Sequence, residues 1–191
     1  QQQRQLETLT RLESVVSTPG LETDTPADKL KRQAMQNPND LRLQYTAGLE
    51  LAKLGHLDAA KIFFANAIRL NPNLIEPNYS MAKVLLFEEN LPDARNYINQ
   101  ALKVNPNNSL SLSLSALLHM QSRDFMRAQS DAEGALKANP NNGEARLVLA
   151  EVFARNSNYR RALQEIDLGL EVESDPHRRE QLTRLKENLR Q

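Results

Sequence analysis

Asn37-Pro38-Asn39 returns as Asn71-Pro72-Asn73, Asn105-Pro106-Asn107 and Asn139-Pro140-Asn141, each copy 34 residues after the last. A fixed period of this length is the mark of a repeat architecture and takes precedence over any local reading. The flanking residues keep the same register. With Leu41, Ile75, Ser109 and Gly143 as first residues, the eighth place is small in every unit (Gly48, Ala82, Ala116, Ala150). The twentieth is always alanine (Ala60, Ala94, Ala128, Ala162), and the twenty-seventh is Ala67, Ala101, Ala135 and Gly169. Bulky residues hold the seventeenth place (Leu57, Leu91, Phe125, Tyr159) and the twenty-eighth (Ile68, Leu102, Leu136, Leu170).

Such a unit reads as two amphipathic helices, A (about 41–54 in the first unit) and B (about 57–70), because its apolar residues recur at helical spacing. Short loops make the two helices antiparallel neighbours. Small side chains let their backbones approach, and the larger ones fill the space between. Proline ends helix B, since the residue before it is pushed out of the α region, and asparagine on either side suits a helix end and a turn. The alternating Ser and Leu of 109–115, taken alone, suggest a strand. The 34-residue register overrides them and places helix A there. An ordinary bundle that happens to be regular is the rival reading, and the register disfavours it.

The pattern resembles the tetratricopeptide repeat family, whose 34-residue helix-turn-helix unit has small residues at places eight, twenty and twenty-seven and proline at thirty-two. The resemblance covers residues 41–174 and implies an all-α, right-handed superhelical solenoid. It divides the chain into units at 41–74, 75–108, 109–142 and 143–174, preceded by 1–40 and followed by a capping helix at 175–191. The sequence departs from the family at the fourth place, where the usual Trp is Gln44, Asn78, Leu112 and Arg146, and at the eleventh of the third unit, which is His119.

Solenoid ends must be covered. Asp175-Pro176 opens the cap with an N-cap residue and a first-turn proline. Leu182, Leu185 and Leu189 form its apolar stripe, with Arg178, Arg179, Arg184, Lys186 and Arg190 expected to face water. At the other end, Leu6, Leu9, Leu12 and Val16 suggest an amphipathic helix, 17–25 a polar linker, and 26–36 a B helix. Residues 1–40 read as a degenerate repeat. The sharper alternative is that 1–16 pack in the groove or pair with another copy.

Composition excludes several classes of function. Lys plus Arg equals Asp plus Glu at 24 each, so no net field draws nucleic acid or an anionic membrane. With no Cys there is neither a disulfide framework nor a thiolate metal site. No apolar run approaches the roughly 18 residues of a membrane span. The chain begins at Gln1, which suggests that it is processed or a piece of a longer protein. His56, His119 and His177 have no His or Cys partner at ligand spacing, and no glycine-rich phosphate loop is present. Catalysis, a cofactor and a metal are therefore not expected. Asn78-Tyr79-Ser80 and Asn107-Asn108-Ser109 match the glycosylation acceptor pattern by chance in a chain rich in Asn and Ser.

Function then rests on the groove that the resemblance implies, lined by places two, five, six, nine, twelve and thirteen of each A helix. The family's chaperone-binding members clamp a C-terminal carboxylate with charged and polar side chains. Here the corresponding positions are Tyr45, Leu49, Ser80, Leu110 and Leu114, so that clamp is missing. Tyr79, Leu86, Phe87, Leu110, Leu114, Leu117 and Met120 are expected to form one apolar patch, about half of them packing between neighbouring A helices. Lys83, Glu151 and Arg155 would orient the partner. A protein or peptide partner is expected, either an amphipathic helix or an apolar extended segment. The corresponding role is a scaffold or adaptor, in the bacterial periplasm or cell envelope rather than the cytoplasm, assembling a pilus, secretion, polysaccharide-export or cytochrome-maturation complex. The alternatives are a regulatory or targeting module of a larger enzyme, and a self-assembling scaffold in which one copy engages another.

Overall fold

The computed structural model describes residues 25–190. The expected helix and linker before residue 25 lie outside them. Ten helices and no strand occur among the described residues: α1 (Pro26–Gln36), α2 (Leu41–Lys53), α3 (Leu57–Leu70), α4 (Ile75–Phe87), α5 (Leu91–Val104), α6 (Ser109–Gln121), α7 (Phe125–Ala138), α8 (Gly143–Arg155), α9 (Tyr159–Val172) and α10 (Pro176–Asn188). The A helices α2, α4, α6 and α8 each pack most closely on the B helix that follows, and every pair packs on the next. The chain is thus an all-α repeat solenoid. The Ser-Leu stretch is helix α6, as the register requires.

Both turns of the unit are built by local chemistry. At place fifteen, Gly55, Glu89, Arg123 and Ser157 all adopt positive φ, between 57° and 79°. Their N–H groups donate to the carbonyls of Ala52, Leu86, Met120 and Ala154, and the next N–H donates to Leu51, Leu85, His119 and Phe153. This pair of bonds is the Schellman motif, which satisfies the last carbonyls of helix A. The same next residue opens helix B: Asn90, Asp124 and Asn158 cap it through their side chains, whereas His56 does not. In the Asn-Pro-Asn turns, Asn71, Asn105 and Asn139 leave the α region. Each side-chain oxygen accepts from the backbone N–H two residues on, at 3.0–3.1 Å, an Asx turn.

The missing Trp at place four has a physical substitute. Gln44 donates to the carbonyls of Ala34 and Asn37, Asn78 to those of Pro72 and Leu74, and Arg146 to that of Pro140. Three units therefore tie helix A to the preceding turn by hydrogen bonds. The third unit instead has Leu112, which packs against the core of units three and four.

At the C-terminal end, α10 begins with Asp175 as N-cap and Pro176 in its first turn, and Leu182 is wholly buried. Arg178, expected to face water, is instead half-buried. Its Nε donates to Glu173 at 2.6 Å, because Glu173 is buried at the break of the repeat pattern and requires a cation. Lys186 similarly pairs with Asp167 of α9.

Candidate functional site

Places two, five, nine and thirteen of the A helices stay open along one stripe, except place five of the third unit, where Ser113 is wholly buried. Helix α4 shows why. Pro77, Asn78, Ser80, Met81, Ala82, Val84, Leu85 and Leu86 are all buried, since the helix is flanked by B helices and by α2 and α6. Only one stripe of such a helix escapes, repeating every three or four residues. Place six is buried from the second unit on (Ser80, Leu114, Val148), and place twelve is buried in the second and third units, where neighbouring A helices cover it. Leu86 (2% exposed), Leu114 (0%) and Met120 (9%), expected along the lining, are therefore core side chains.

The remaining predicted residues divide by exposure. Phe87 is 79% exposed and Leu110 is 50% exposed. Lys83 and Arg155 are less buried than the core, while Tyr45, Leu49, Tyr79, Leu117 and Glu151 are half-buried. Phe87 and Leu110 do not share one patch. Places thirteen and two lie at opposite ends of the parallel A helices, about 16 Å apart along the axis at 1.5 Å per residue. The apolar surface is thus a path between two exposed anchors, with Tyr79 and Leu117 between them.

Tyr45 turns partly into the core, its ring 6.0 Å from that of Phe64 and its hydroxyl 3.3 Å from Ser80 Oγ. Tyr79 and Leu110 border a polar cavity of about 200 Å³ with Asn139, Asn141, Glu144 and Arg178. Burial raises the Tyr79 phenol well above its ordinary range, and the nearby Glu144 carboxylate adds to the rise. Glu144 in turn accepts from Ser113 Oγ at 3.0 Å. The cap closes this end of the face: Asp175 lies within the field of Lys83, and Arg178 within that of Glu144. The sequence reading missed Arg178 as a contributor to this surface, because helical periodicity assigned it to the outside of α10.

Glu151 contrasts with these neighbours. No described residue hydrogen-bonds to its carboxylate, and burial raises its pKa, with Arg155 opposing the shift. Arg155 stands one turn along α8, where a direct pair would form on a free helix. Its guanidinium lies instead over the Phe125 ring, 5.1 Å from the centroid.

His119, Asp131 and Ser115 also meet between α6 and α7. Ser115 Oγ donates to Asp131 Oδ2 at 2.6 Å, and His119 Nδ1 lies 3.0 Å from the same oxygen. The hydroxyl and the imidazole share an acceptor rather than facing each other, so the serine has no base against it. The cluster joins the helix pair of the third unit. Among the described residues, no group of three or more His, Cys, Asp or Glu could hold a metal ion, and no helix is long and apolar enough to cross a membrane.

Paired helices at a 34-residue period, stacked around a common concave face, define a repeat solenoid of the protein-interaction class. Two family models agree: one described as tetratricopeptide repeat matches residues 41–74, and another of the same description matches 113–177. Together they span more than half of the chain, which belongs to the tetratricopeptide repeat family. Proteins of this family are generally non-catalytic scaffolds. The fold is similar to that of MamA 41-end from Desulfovibrio magneticus RS-1, 20% identical over 76% of this chain and 82% of that one, TM-score 0.64. It is also similar to TTC0263, a thermophilic TPR protein in Thermus thermophilus, 20% identical over 78% and 82%, TM-score 0.70. YrrB, described as a TPR protein with an unusual peptide-binding site, is 17% identical over 85% and 91%, TM-score 0.61. No curated protein matches the chain.

Proposed function

We propose that this chain is a scaffold that holds a segment of another protein along its concave face, from Phe87 across Leu117 to Leu110. The observation that carries this reading is the exposure of Phe87 and Leu110 on A helices, whereas the other exposed large apolar side chains, Leu54, Val104, Met126 and Tyr159, lie in a turn or on B helices. Burying such a side chain contributes roughly 1.5–3 kcal/mol before association costs, so a few of them anchor a partner. Tyr45, Leu49, Tyr79, Lys83 and Arg155 complete the surface. The four units run 41–74, 75–108, 109–142 and 143–174 in this reading, with α1 as the last helix of a degenerate one. The setting we favour is assembly of a bacterial envelope complex; the bacterial sources of two of the similar solved structures support its bacterial part.

The test uses exposed positions, because Leu114 is core and an Asp there would unfold the chain. Phe87→Asp with Leu110→Asp should retain the helical circular-dichroism spectrum and melting point. Affinity capture from the native organism should lose its specific partners at least tenfold by quantitative mass spectrometry. Undiminished capture by this folded variant sinks the reading, and recovery of the chain in the cytosolic fraction sinks the envelope setting.

A further inference from the structure

The proposal that follows rests on the concave face being the partner's seat and concerns what sits there. Glu151 occupies place nine of the fourth unit, and Leu117 occupies place nine of the third. Their helices, α8 and α6, are in direct contact. Both side chains are half-buried on the open stripe. Other charged groups on this face either stand exposed to water, as Arg42 and Glu76 do, or are offset within the molecule. Glu144 accepts from Ser113, Arg178 pairs with Glu173, and Lys83 lies in the field of Asp175.

Glu151 is different, because its natural partner is held elsewhere. Arg155, four residues on, stacks its guanidinium on Phe125 and leaves the carboxylate without a hydrogen bond from any described residue. A carboxylate partly withdrawn from water and left without a hydrogen bond carries a desolvation penalty that an incoming cation relieves. An apolar side chain would shield it further without answering it, and an acidic one would be repelled. Charge complementarity therefore selects a lysine or arginine.

Geometry sets where that residue lies in the partner's sequence. Neighbouring helices in contact are about 8–10 Å apart, and an extended chain advances about 3.3 Å per residue, so the step from Leu117 to Glu151 is about three residues. We propose that the concave face takes an extended segment of a partner protein in which a bulky apolar residue and a basic residue stand about three positions apart, the first seated on Leu117 and the second paired with Glu151.

A phage-displayed library of random dodecapeptides, panned on the full chain, tests this directly. The expected result is enrichment of Lys or Arg about three residues from Leu, Ile, Phe or Met. Synthetic peptides from that pool should bind Glu151→Gln at least tenfold more weakly by fluorescence anisotropy, the loss expected for a charge-assisted hydrogen bond. The same peptides with the basic residue changed to Gln should not distinguish the two proteins. Panning on Glu151→Lys should enrich Asp or Glu at that position. Peptides that lose binding to the Phe87→Asp, Leu110→Asp variant yet carry no basic preference, or bind Glu151→Gln unchanged, overturn this inference and leave the scaffold reading standing. Peptides indifferent to Phe87 and Leu110 overturn the scaffold reading itself. A pool with no enriched peptide overturns both.

Discussion

A methyl group added to Gly48 would lie 2.6 Å from two ring carbons of Phe64 and 3.3 Å from the carbonyl oxygen of Ala60. Phe64 is buried, so its ring has nowhere to go. The other three units carry Ala at this place because the residue at the position of Phe64 is Ile98, Ala132 or Ile166, each smaller. Large faces small within every unit, and the pair changes together. Gly48→Ala should cost about 1–3 kcal/mol by urea denaturation, the usual penalty for overpacking, and Phe64→Leu in the same chain should recover part of it. Glu151 provides a second test at this scale. Its folded pKa is raised by burial, with Arg155 opposing, so its protonated form suits the fold. The stability it contributes is fully present below the unfolded carboxyl range and is lost as pH rises through the folded value. Glu151→Gln should therefore raise the melting temperature at pH 7 and leave it unchanged near pH 3, as checked by thermal melts across that range.

The helix that closes the array depends on a single substitution of turn chemistry. Where earlier units have Asn-Pro-Asn, the fourth has Glu173-Ser174-Asp175, followed by Pro176. Glu173 is buried against Gly143, whose missing side chain leaves room for the carboxylate; a methyl there would collide with Glu173 Oε2. Burial pushes the Glu173 pKa up, but hydrogen bonds from Arg178 and from the Asp175 N–H more than offset it and hold the carboxyl below its ordinary range. Its stabilisation is therefore present above the unfolded carboxyl range and fades as pH falls through the folded value. Arg178→Ala should leave a buried carboxylate half-answered and cost about 1–3 kcal/mol at pH 7. That cost should shrink in acid, where the carboxyl protonates. Hydrogen exchange of α10 amides at the two pH values measures it.

Over the whole molecule, each helix pair touches only its neighbours, so stability is a sum of unit terms and interface terms. Helices α4 and α6, buried on nearly every side, should be the last to exchange their amide protons, and α1 and α10 the first. Native-state exchange followed by mass spectrometry checks this order; uniform protection from end to end would contradict it. The 34-residue period by itself determined the helix pairing and the helical state of the Ser-Leu stretch, and local capping chemistry determined the helix that opens at Asp175-Pro176. These are local matters: small residues, prolines and capping side chains act on their own turn, and the register repeats them. Which side chains face a partner was not local. Leu86, Leu114 and Met120 share the composition of a groove lining, yet neighbouring A helices cover them, while Phe87 and Leu110 on the same helices stay open. The diversion of Arg155 to Phe125 and the turn of Arg178 toward Glu173 likewise depend on residues from other elements. Exposure and ion pairing arise only when helices stack, and the stacking geometry alone decided them.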